Sequence, residues 1–271
     1  MASLLALLSA ALWGSSDFEG GRISKRYPAI SVLGATQLIS LVFGLALTIA
    51  VGETEVTPKI FLAGAAAGLF GYIGLICLYA GLSTGRMGVV SPISSLSVLI
   101  PMTVALIGGE TMSTLTAIGC ALAIIGGFLT SGPEFSQGVS LKPLLLATGA
   151  ALGFGSALTF MAIGAAEAPI LTMVCMRIAT AFVTIAIAIR KKGFGGLGPK
   201  NLPSLIFIGI ADFAANAALG LAVNIGPVAI SMVLGALYPV FTVLLAFFIL
   251  HERLHKAQYR WHCSCNWRCF N

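Results

Sequence analysis

The feature that most constrains this chain is that its sequence repeats itself after about 141 residues. The run GRMGVVSPISSLSV, which begins at Gly85, aligns with GPVAISMVLGALYP, which begins at Gly226. The alignment extends upstream at nearly the same spacing and places Gln37 opposite Arg177. The chain is therefore a duplicated unit, and each half holds about five apolar segments.

The apolar segments predict helices that cross a membrane. Hydrophobic residues make up 58% of the 271 residues and charged residues only 9%, whereas soluble domains carry about a quarter charged residues. Backbone groups in hydrocarbon must be paired within the segment, so runs of about 20 apolar residues indicate helices rather than barrel strands. Because each half contains an odd number of spans, the second half enters the membrane in the opposite orientation. We expect an all-α polytopic membrane protein with two inverted five-helix repeats, ten helices in all.

Nine of these spans can be placed along the chain. They are predicted near residues 3–21, 29–51, 60–82, 88–108, 113–131, 143–163, 168–189, 203–223 and 227–250. A linker rich in Gly, Pro and Ser, residues 132–142, separates the first repeat, residues 1–131, from the second, residues 143–259.

The tenth helix is missing from the sequence as written. After the second repeat the chain reads YRWHCSCNWRCFN, without an apolar run. Allowed codons for these residues, read one base later, encode Gly-Gly-Ile-Ala-Ala-Ala-Ile-Gly-Gly-Val, which matches Gly119 to Phe128 of the first half. We interpret residues 260–271 as a frameshift tail. Its cysteines have no familiar zinc spacing, so we predict no metal and no cofactor.

Basic residues predict the topology rather than a nucleic-acid partner. The net charge of +6 comes from Lys and Arg that lie singly or in short clusters between apolar runs. Nearly all of them fall in odd-numbered loops, and the even-numbered loops hold only Lys59. The odd loops are then cytoplasmic and the N-terminus lies outside, in a plasma or inner membrane. The first segment lacks a basic start, so we expect a retained span rather than a signal peptide.

Ionisable residues within the spans are candidates for function, because charge is costly in hydrocarbon. Arg177 lies in the seventh span and Asp212 in the eighth. Three interpretations are open for these two residues. Arg177 would bind an anionic group of a substrate, Asp212 would bind a cation or a coupling proton, or the two side chains would neutralise each other. Asp17 and Glu19 end the first span beside a basic cluster, where anchoring at the membrane interface is the simpler interpretation. Asp17 is also a candidate for the wall of a central cavity, and either carboxylate would carry a coupling proton.

Polar and aromatic residues extend this candidate site. Gln37 is the repeat partner of Arg177, and Asn216 follows Asp212 by one helical turn, which predicts the wall of a central cavity. Aromatic side chains would stack on a ligand or form belts at the membrane interface; they are Trp13, Tyr72, Tyr79 and Tyr238.

Two spans in corresponding positions contain prolines, which permit helix bending during gating. They are Pro92 and Pro101 in the fourth span and Pro227 and Pro239 in the ninth. Glu110 and Glu252 end these two spans, and we predict that they fix loop geometry rather than act in catalysis.

The chain resembles the EamA-type family of the drug/metabolite transporter superfamily. The resemblance rests on ALWGSSDFEGG, on YAGLSTGRMGVVSPISSL with the later GGET and IGCALAIIGGFL, and on ALYPVFTVLLAFFILHERL followed by Gln258. It implies a ten-helix, two-repeat transporter of small metabolites, amino acids or drugs, often outward. It also implies a cavity that includes Trp13, Ser16, Tyr72 and Tyr79. The missing tenth helix and the outside N-terminus depart from the family pattern.

Three functions remain open from the sequence. A secondary transporter fits best, because inverted repeats occur without a phosphate-binding loop that would indicate a pump. Its partners would be a small-molecule substrate, the lipid bilayer and a coupling proton or ion, although passive facilitation fits equally. An intramembrane enzyme would need Asp17 and Asp212 to meet as a carboxylate pair. A truncated pseudo-transporter would pair its exposed ninth span with another subunit.

Overall fold

The computed structural model of the chain describes residues 1–24, 26–82, 90, 93–130, 141–190 and 196–250. These residues form helices and contain no β-strand. The helices, in chain order, are α1 (Ala2–Ser24), α2 (Ala29–Val51), α3 (Pro58–Leu82), α4 (Leu99–Ile107), α5 (Thr114–Thr130), α6 (Leu141–Ala165), α7 (Pro169–Arg190), α8 (Leu202–Ile225), α9 (Val228–Gly235) and α10 (Tyr238–Leu250). Short 3-10 turns at Leu96–Val98 and Pro199–Asn201 lead into α4 and α8.

Six segments of the described chain are long and apolar enough to cross a membrane. They are Ile30–Val51, Pro58–Leu78, Leu141–Ala165, Pro169–Arg190, Pro199–Ile225 and Val228–Leu245. Each predicted span falls on one or more of the helices, although part of the predicted fourth span lies outside the described residues. The predicted tenth helix, Glu252 and the tail at 260–271 also lie outside them.

The predicted ninth span is two helices rather than one. Helix α9 ends at Gly235 and α10 begins at Tyr238, so the chain breaks in the middle of the apolar run. Pro239 gives the reason, because it has no backbone N–H to continue the ladder and its ring clashes with the carbonyl four residues earlier. Pro227, by contrast, precedes α9 as its N-cap.

Helix packing follows the duplication of the sequence. Helix α2 packs on its counterpart α7, and α1 packs on α8 as α6 packs on α3. The pairs α3 with α7 and α2 with α8 are likewise equivalent when the halves are exchanged. Helix α1 contacts α9 and α10, as α6 contacts α4 and the 3-10 turn before it.

Glycines bring backbones together where α3 crosses its neighbours. A Cβ atom built on Gly153 of α6 would lie 2.6 Å from the Cα of Gly74 on α3. A Cβ atom built on Gly68 of α3 would lie 2.5 Å from the Met176 carbonyl oxygen on α7. Lipid supplies no hydrophobic force between helices, so such close van der Waals contact stabilises the bundle.

Carboxylates of the first half cap helices of the second half. Glu53, which follows α2, accepts hydrogen bonds of 2.9 Å from the backbone N–H groups of Ile170 and Leu171, at the start of α7. Glu110, which follows α4, accepts hydrogen bonds of 2.8 and 3.0 Å from Val228 and Ala229, at the start of α9. Unpaired N–H groups and the helix dipole favour a negative charge there. Glu110, for which a role in loop geometry was predicted, thus caps a helix of the other half.

A third carboxylate makes the reciprocal connection. Glu167, between α6 and α7, accepts a hydrogen bond of 3.1 Å from the Thr57 hydroxyl and forms a 2.7 Å ion pair with Lys59, at the start of α3. The hydrogen bond from Lys59 holds the pKa of the Glu167 carboxyl below its usual value, with Thr57 contributing. We call Glu53, Glu110 and Glu167 the carboxylate clamps. All three lie in connections after even-numbered spans, hence at one end of the bundle.

Candidate functional site

A buried cation joins both halves of the chain near the middle of their helices. Arg177 on α7 is 2% exposed. Its Nη1 donates a hydrogen bond of 2.9 Å to Oε1 of Gln37 on α2, and its Nη2 forms an ion pair with Oδ2 of Asp212 on α8. The repeat relationship had placed Gln37 opposite Arg177, and the structure brings their side chains into direct contact.

Further side chains complete this arrangement around Asp212. The Trp13 indole on α1 donates a hydrogen bond of 3.2 Å to Oδ1 of Asp212. Asn216, one turn along α8, donates to the Asp212 carbonyl at 2.7 Å. The Thr180 hydroxyl lies 3.2 Å from Gln37 Oε1 and 3.0 Å from the Arg177 carbonyl. We call this set the buried polar cluster; its members are Trp13, Gln37, Arg177, Thr180, Asp212 and Asn216.

Charge within the buried polar cluster is balanced but unevenly accessible. The Arg177 side chain is 3% exposed and the Asp212 side chain 25% exposed. An isolated guanidinium in this position would be strongly unfavourable, so pairing with a carboxylate is what permits its burial. The pair therefore presents its carboxylate side, and not its guanidinium, toward accessible space. Arg177 Nε is buried and has no hydrogen-bond partner among the described residues.

Asp17 lies on the face of α1 that packs into the bundle. Ala6, Ala10, Trp13 and Asp17 follow one another at helical spacing, so they share the face of α1 that packs into the bundle. Ala6 and Ala10 are 0% exposed, yet Asp17 is exposed. The inner face of α1 therefore opens to accessible space at the level of Asp17, toward the end of the helix.

Neighbouring acidic residues on α1 differ in their partners. Glu19 forms a 2.8 Å ion pair with Arg22, one turn later, as an anchoring residue would. Asp17 makes no hydrogen bond or ion pair with any described residue, but it lies within electrostatic reach of Asp212 on α8 and of Tyr238 on α10. Glu19 thus has the local basic partner that anchoring requires, whereas Asp17 has the position expected of a residue that lines a cavity.

The aromatic candidates separate into two places. Trp13 and Tyr238 meet edge to face, with ring centroids 6.1 Å apart and planes at 72°. Tyr72 on α3 is 6% exposed, and its hydroxyl lies 3.5 Å from that of Thr184 on α7. Ser16 is buried and donates to the Trp13 carbonyl at 3.2 Å, within its own helix. Tyr79 belongs to α3, but its side chain lies outside the described part of the chain.

The proline candidates also have distinct positions. Pro101 is buried in the first turn of α4 and does not interrupt that helix. Pro227 precedes α9, and Pro239 coincides with the break between α9 and α10. Pro92 lies outside the described residues.

Two contacts of the site were missed in the sequence. Thr180 lies one turn after Arg177 on the same face of α7, and this spacing could have identified it. No signal in the sequence connects Trp13 to Asp212, because that hydrogen bond depends on how α1 crosses α8.

Comparison with known proteins identifies a family and a fold. A family model described as the EamA-like transporter family matches residues 1–132 and 141–260. A crystal structure, described only as that of a protein, aligns with a TM-score of 0.77 and 18% identity, over 95% of this chain and 92% of that chain. At this identity the similarity concerns the fold. No curated protein sequence matches the chain significantly.

Proposed function

Since the chain belongs to the EamA-like transporter family, which consists of membrane transporters rather than enzymes, we propose that it is a secondary transporter of a small organic solute. It would work by alternating access around a central cavity between two inverted repeats. The expected location is the plasma or inner membrane, and the expected direction is outward.

The buried polar cluster is the observation that carries this proposal. It joins α2 of the first half to α7 and α8 of the second, and α1 contributes Trp13. Charged groups at mid-helix are retained in membrane proteins mainly where they line a pathway or bind a partner. A cluster at the junction of two moving halves is well placed to sense a substrate and to respond to it.

The packing of the helices supports the inverted repeats. Exchange of the two halves maps the pair α1 and α8 onto α6 and α3, and maps α2 and α7 onto each other. Two copies of a five-span unit related in this way would run in opposite directions through the bilayer. The boundaries of the repeats, residues 1–131 and 143–259, remain those expected from the sequence.

The two ends of the bundle support an alternating mechanism. At one end the carboxylate clamps hold the halves together. Toward the other end the inner face of α1 is accessible at Asp17. If the odd-numbered loops are cytoplasmic, as the distribution of Lys and Arg predicts, this conformation is closed outside and open to the cytoplasm.

Reconstitution into liposomes tests the proposal. The chain as written and a frame-restored version with the tenth helix would be assayed for counterflow of labelled small amines, amino acids and sugars. We expect exchange of at least one class, and a greater than tenfold loss in the charge-neutral double variant Arg177→Met with Asp212→Asn. Absence of exchange by folded, frame-restored protein would contradict the proposal.

A further inference from the structure

The accessible charge near the candidate site is negative. Arg177 is 2% exposed, and its two Nη groups are occupied by Gln37 and Asp212. An anionic substrate would have to displace one of these partners and reach a buried guanidinium. The Asp212 carboxylate is a quarter exposed, and Asp17 is exposed outright. When both carboxylates are ionised, the three residues together carry a formal charge of −1.

Asp17 is a carboxylate without a partner among the described residues, in a place where most carboxylates would have one. It lies on the inner face of a span, it forms no hydrogen bond or ion pair with the described residues, and it lies near a second carboxylate, Asp212. An ionisable side chain inside a membrane protein is costly unless it faces a cavity and meets a counter-ion at some stage of function. No basic side chain of the described residues supplies that counter-ion.

Two aromatic rings stand next to this carboxylate. Trp13 precedes Asp17 by one turn on the same face of α1, and Tyr238 at the start of α10 lies within electrostatic reach of Asp17. The rings meet edge to face at 6.1 Å, and the hydrogen bond to Asp212 fixes the orientation of the indole. Aromatic faces attract cations, Trp most strongly, and a carboxylate beside them adds direct ion pairing.

We propose that the transported solute is an organic cation, whose positive group binds at Asp17 against the faces of Trp13 and Tyr238. This assignment rests on the proposed transport function and specifies its substrate class. Asp17 is the binding carboxylate, while Asp212 fixes the ring of Trp13 and keeps Arg177 neutralised. A proton is the competing ligand at Asp17, and the charged or titratable groups that face it are Asp212 from α8 and Tyr238 from α10.

Binding of two ions of equal shape and opposite charge tests the assignment. Purified protein in detergent would be titrated with tetraphenylphosphonium and, separately, with tetraphenylborate, and the fluorescence of its tryptophans would be followed. The variants are Asp17→Asn, Asp17→Glu and, as a matched control, Glu19→Gln, which removes a carboxylate two residues away. Thermal unfolding of each variant confirms that it is folded.

We expect the unchanged protein to bind the phosphonium ion and not the borate. Asp17→Asn should weaken this binding more than tenfold, Asp17→Glu should retain most of it, and Glu19→Gln should leave it unchanged. Affinity should fall as the pH is lowered, because protons compete for the Asp17 carboxylate. Phosphonium binding that is equal in folded Asp17→Asn and unchanged protein would overturn the assignment, and so would preferential binding of the borate.

The binding experiment and the liposome assay test the substrate class and the transport function separately. Binding in detergent needs no transport cycle, so loss of counterflow with intact, Asp17-dependent phosphonium binding would contradict the transport function alone. Counterflow of a neutral or anionic solute that is unaffected by Asp17→Asn would contradict the substrate class while the transport function stands.

Discussion

The ion pair between Arg177 and Asp212 shows how a single buried charge constrains its neighbours. Arg177 forms contacts to two other helices, so its removal affects more than one interaction. Gln37 and Asp212 would then remain without the guanidinium that each of them contacts. The cost of a substitution here is therefore set less by the contact removed than by the groups left unpaired.

Substitution of Arg177 by Met should destabilise the protein because it leaves Asp212 without a counter-ion. Breaking a fully buried pair costs about 3–5 kcal/mol, and we expect about 2 kcal/mol here because Asp212 is partly hydrated. The double variant Arg177→Met with Asp212→Asn should be more stable than Arg177→Met alone. Thermal unfolding in detergent measures both, and equal destabilisation in the two variants would contradict the importance of the pair.

Two helical glycines should respond in opposite ways to the addition of a methyl group. Gly153 faces the backbone of Gly74, whereas a Cβ atom on Gly119 of α5 would meet nothing within 4 Å. Gly153→Ala should cost about 1–3 kcal/mol by overpacking. Gly119→Ala should gain about 0.5–1 kcal/mol, since Ala loses less conformational entropy in a helix. Chemical unfolding of both variants in detergent checks the contrast, and similar effects would argue against the tight crossing.

For individual residues, the sequence predicted some of the contacts in the buried polar cluster and not others. The repeat identified Gln37 as the counterpart of Arg177, and helical spacing identified Asn216 beside Asp212. For Asp17 the sequence left two alternatives, a cavity residue and an interface anchor, because its basic neighbours in the sequence suggested anchoring. Which acid on α1 meets a base and which faces the bundle depends on the rotation of the helix, and local composition does not encode that rotation.

Among the helices, the connections at one end are charged while the spans themselves are almost wholly apolar. Each carboxylate clamp links one half of the chain to the other. Glu53 and Glu110 satisfy backbone N–H groups that begin α7 and α9, and Glu167 meets a side-chain cation. The clamps thus combine helix capping with contact between halves, and both effects require the ionised carboxylate.

Acid should loosen the contact between Glu167 and the start of α3. The folded protein lowers the pKa of this carboxyl from its usual 4.5, chiefly through Lys59. A group with a depressed pKa stabilises the fold above its unfolded pKa, and that contribution is lost as the pH falls through the folded value. We expect faster amide hydrogen exchange at the start of α3 below about pH 4.5 than at pH 6.

The variant Glu167→Gln provides the control for this pH dependence. It removes the titrating group, so its exchange at the start of α3 should already be fast at pH 6 and should change less on acidification, after correction for intrinsic exchange rates. The effect is expected to be small because the ion pair is solvent-exposed. An unchanged pH profile in the variant would assign the loosening to another group.

Element boundaries were largely predictable, because apolar runs bounded by turns have a simple physical origin in the thickness of the bilayer. The break between α9 and α10 was not predicted as a break, although Pro239 was noted as a site of bending. A proline limits where a helix can continue, but whether the chain bends or breaks depends on the neighbours that receive the freed carbonyls.

For the whole molecule, the orientation in the membrane can be tested by thiol labelling. In a background without the six native cysteines, Gly21→Cys and Glu55→Cys place thiols at opposite ends of the bundle. Gly21 is exposed near the end of α1, and Glu55 is exposed between α2 and α3. A membrane-impermeant maleimide added to intact cells should label position 55, and position 21 only after permeabilisation. The opposite pattern would invert the topology.

Ala6→Cys completes this test, because it reports whether the accessible space inside the bundle is restricted to one end. Ala6 shares the inner face of α1 with Asp17 but is 0% exposed. Its thiol should remain unlabelled in permeabilised cells while Gly21→Cys reacts. Labelling of both positions at equal rates would show a pathway that is open throughout.

The crossing of α3 with α6 and the crossing of α1 with α8 are equivalent in the duplicated chain, but different groups form the contact in each. Helices α3 and α6 touch through the backbones of Gly74 and Gly153, so no side chain separates the two helices at this point. Helices α1 and α8 meet instead through the side chains of Trp13 and Asp212. Rotation of one half against the other would therefore pivot about the glycine crossing. The largest displacement would fall on the opposite flank, where an indole and a carboxylate can separate and rejoin without disturbing either backbone.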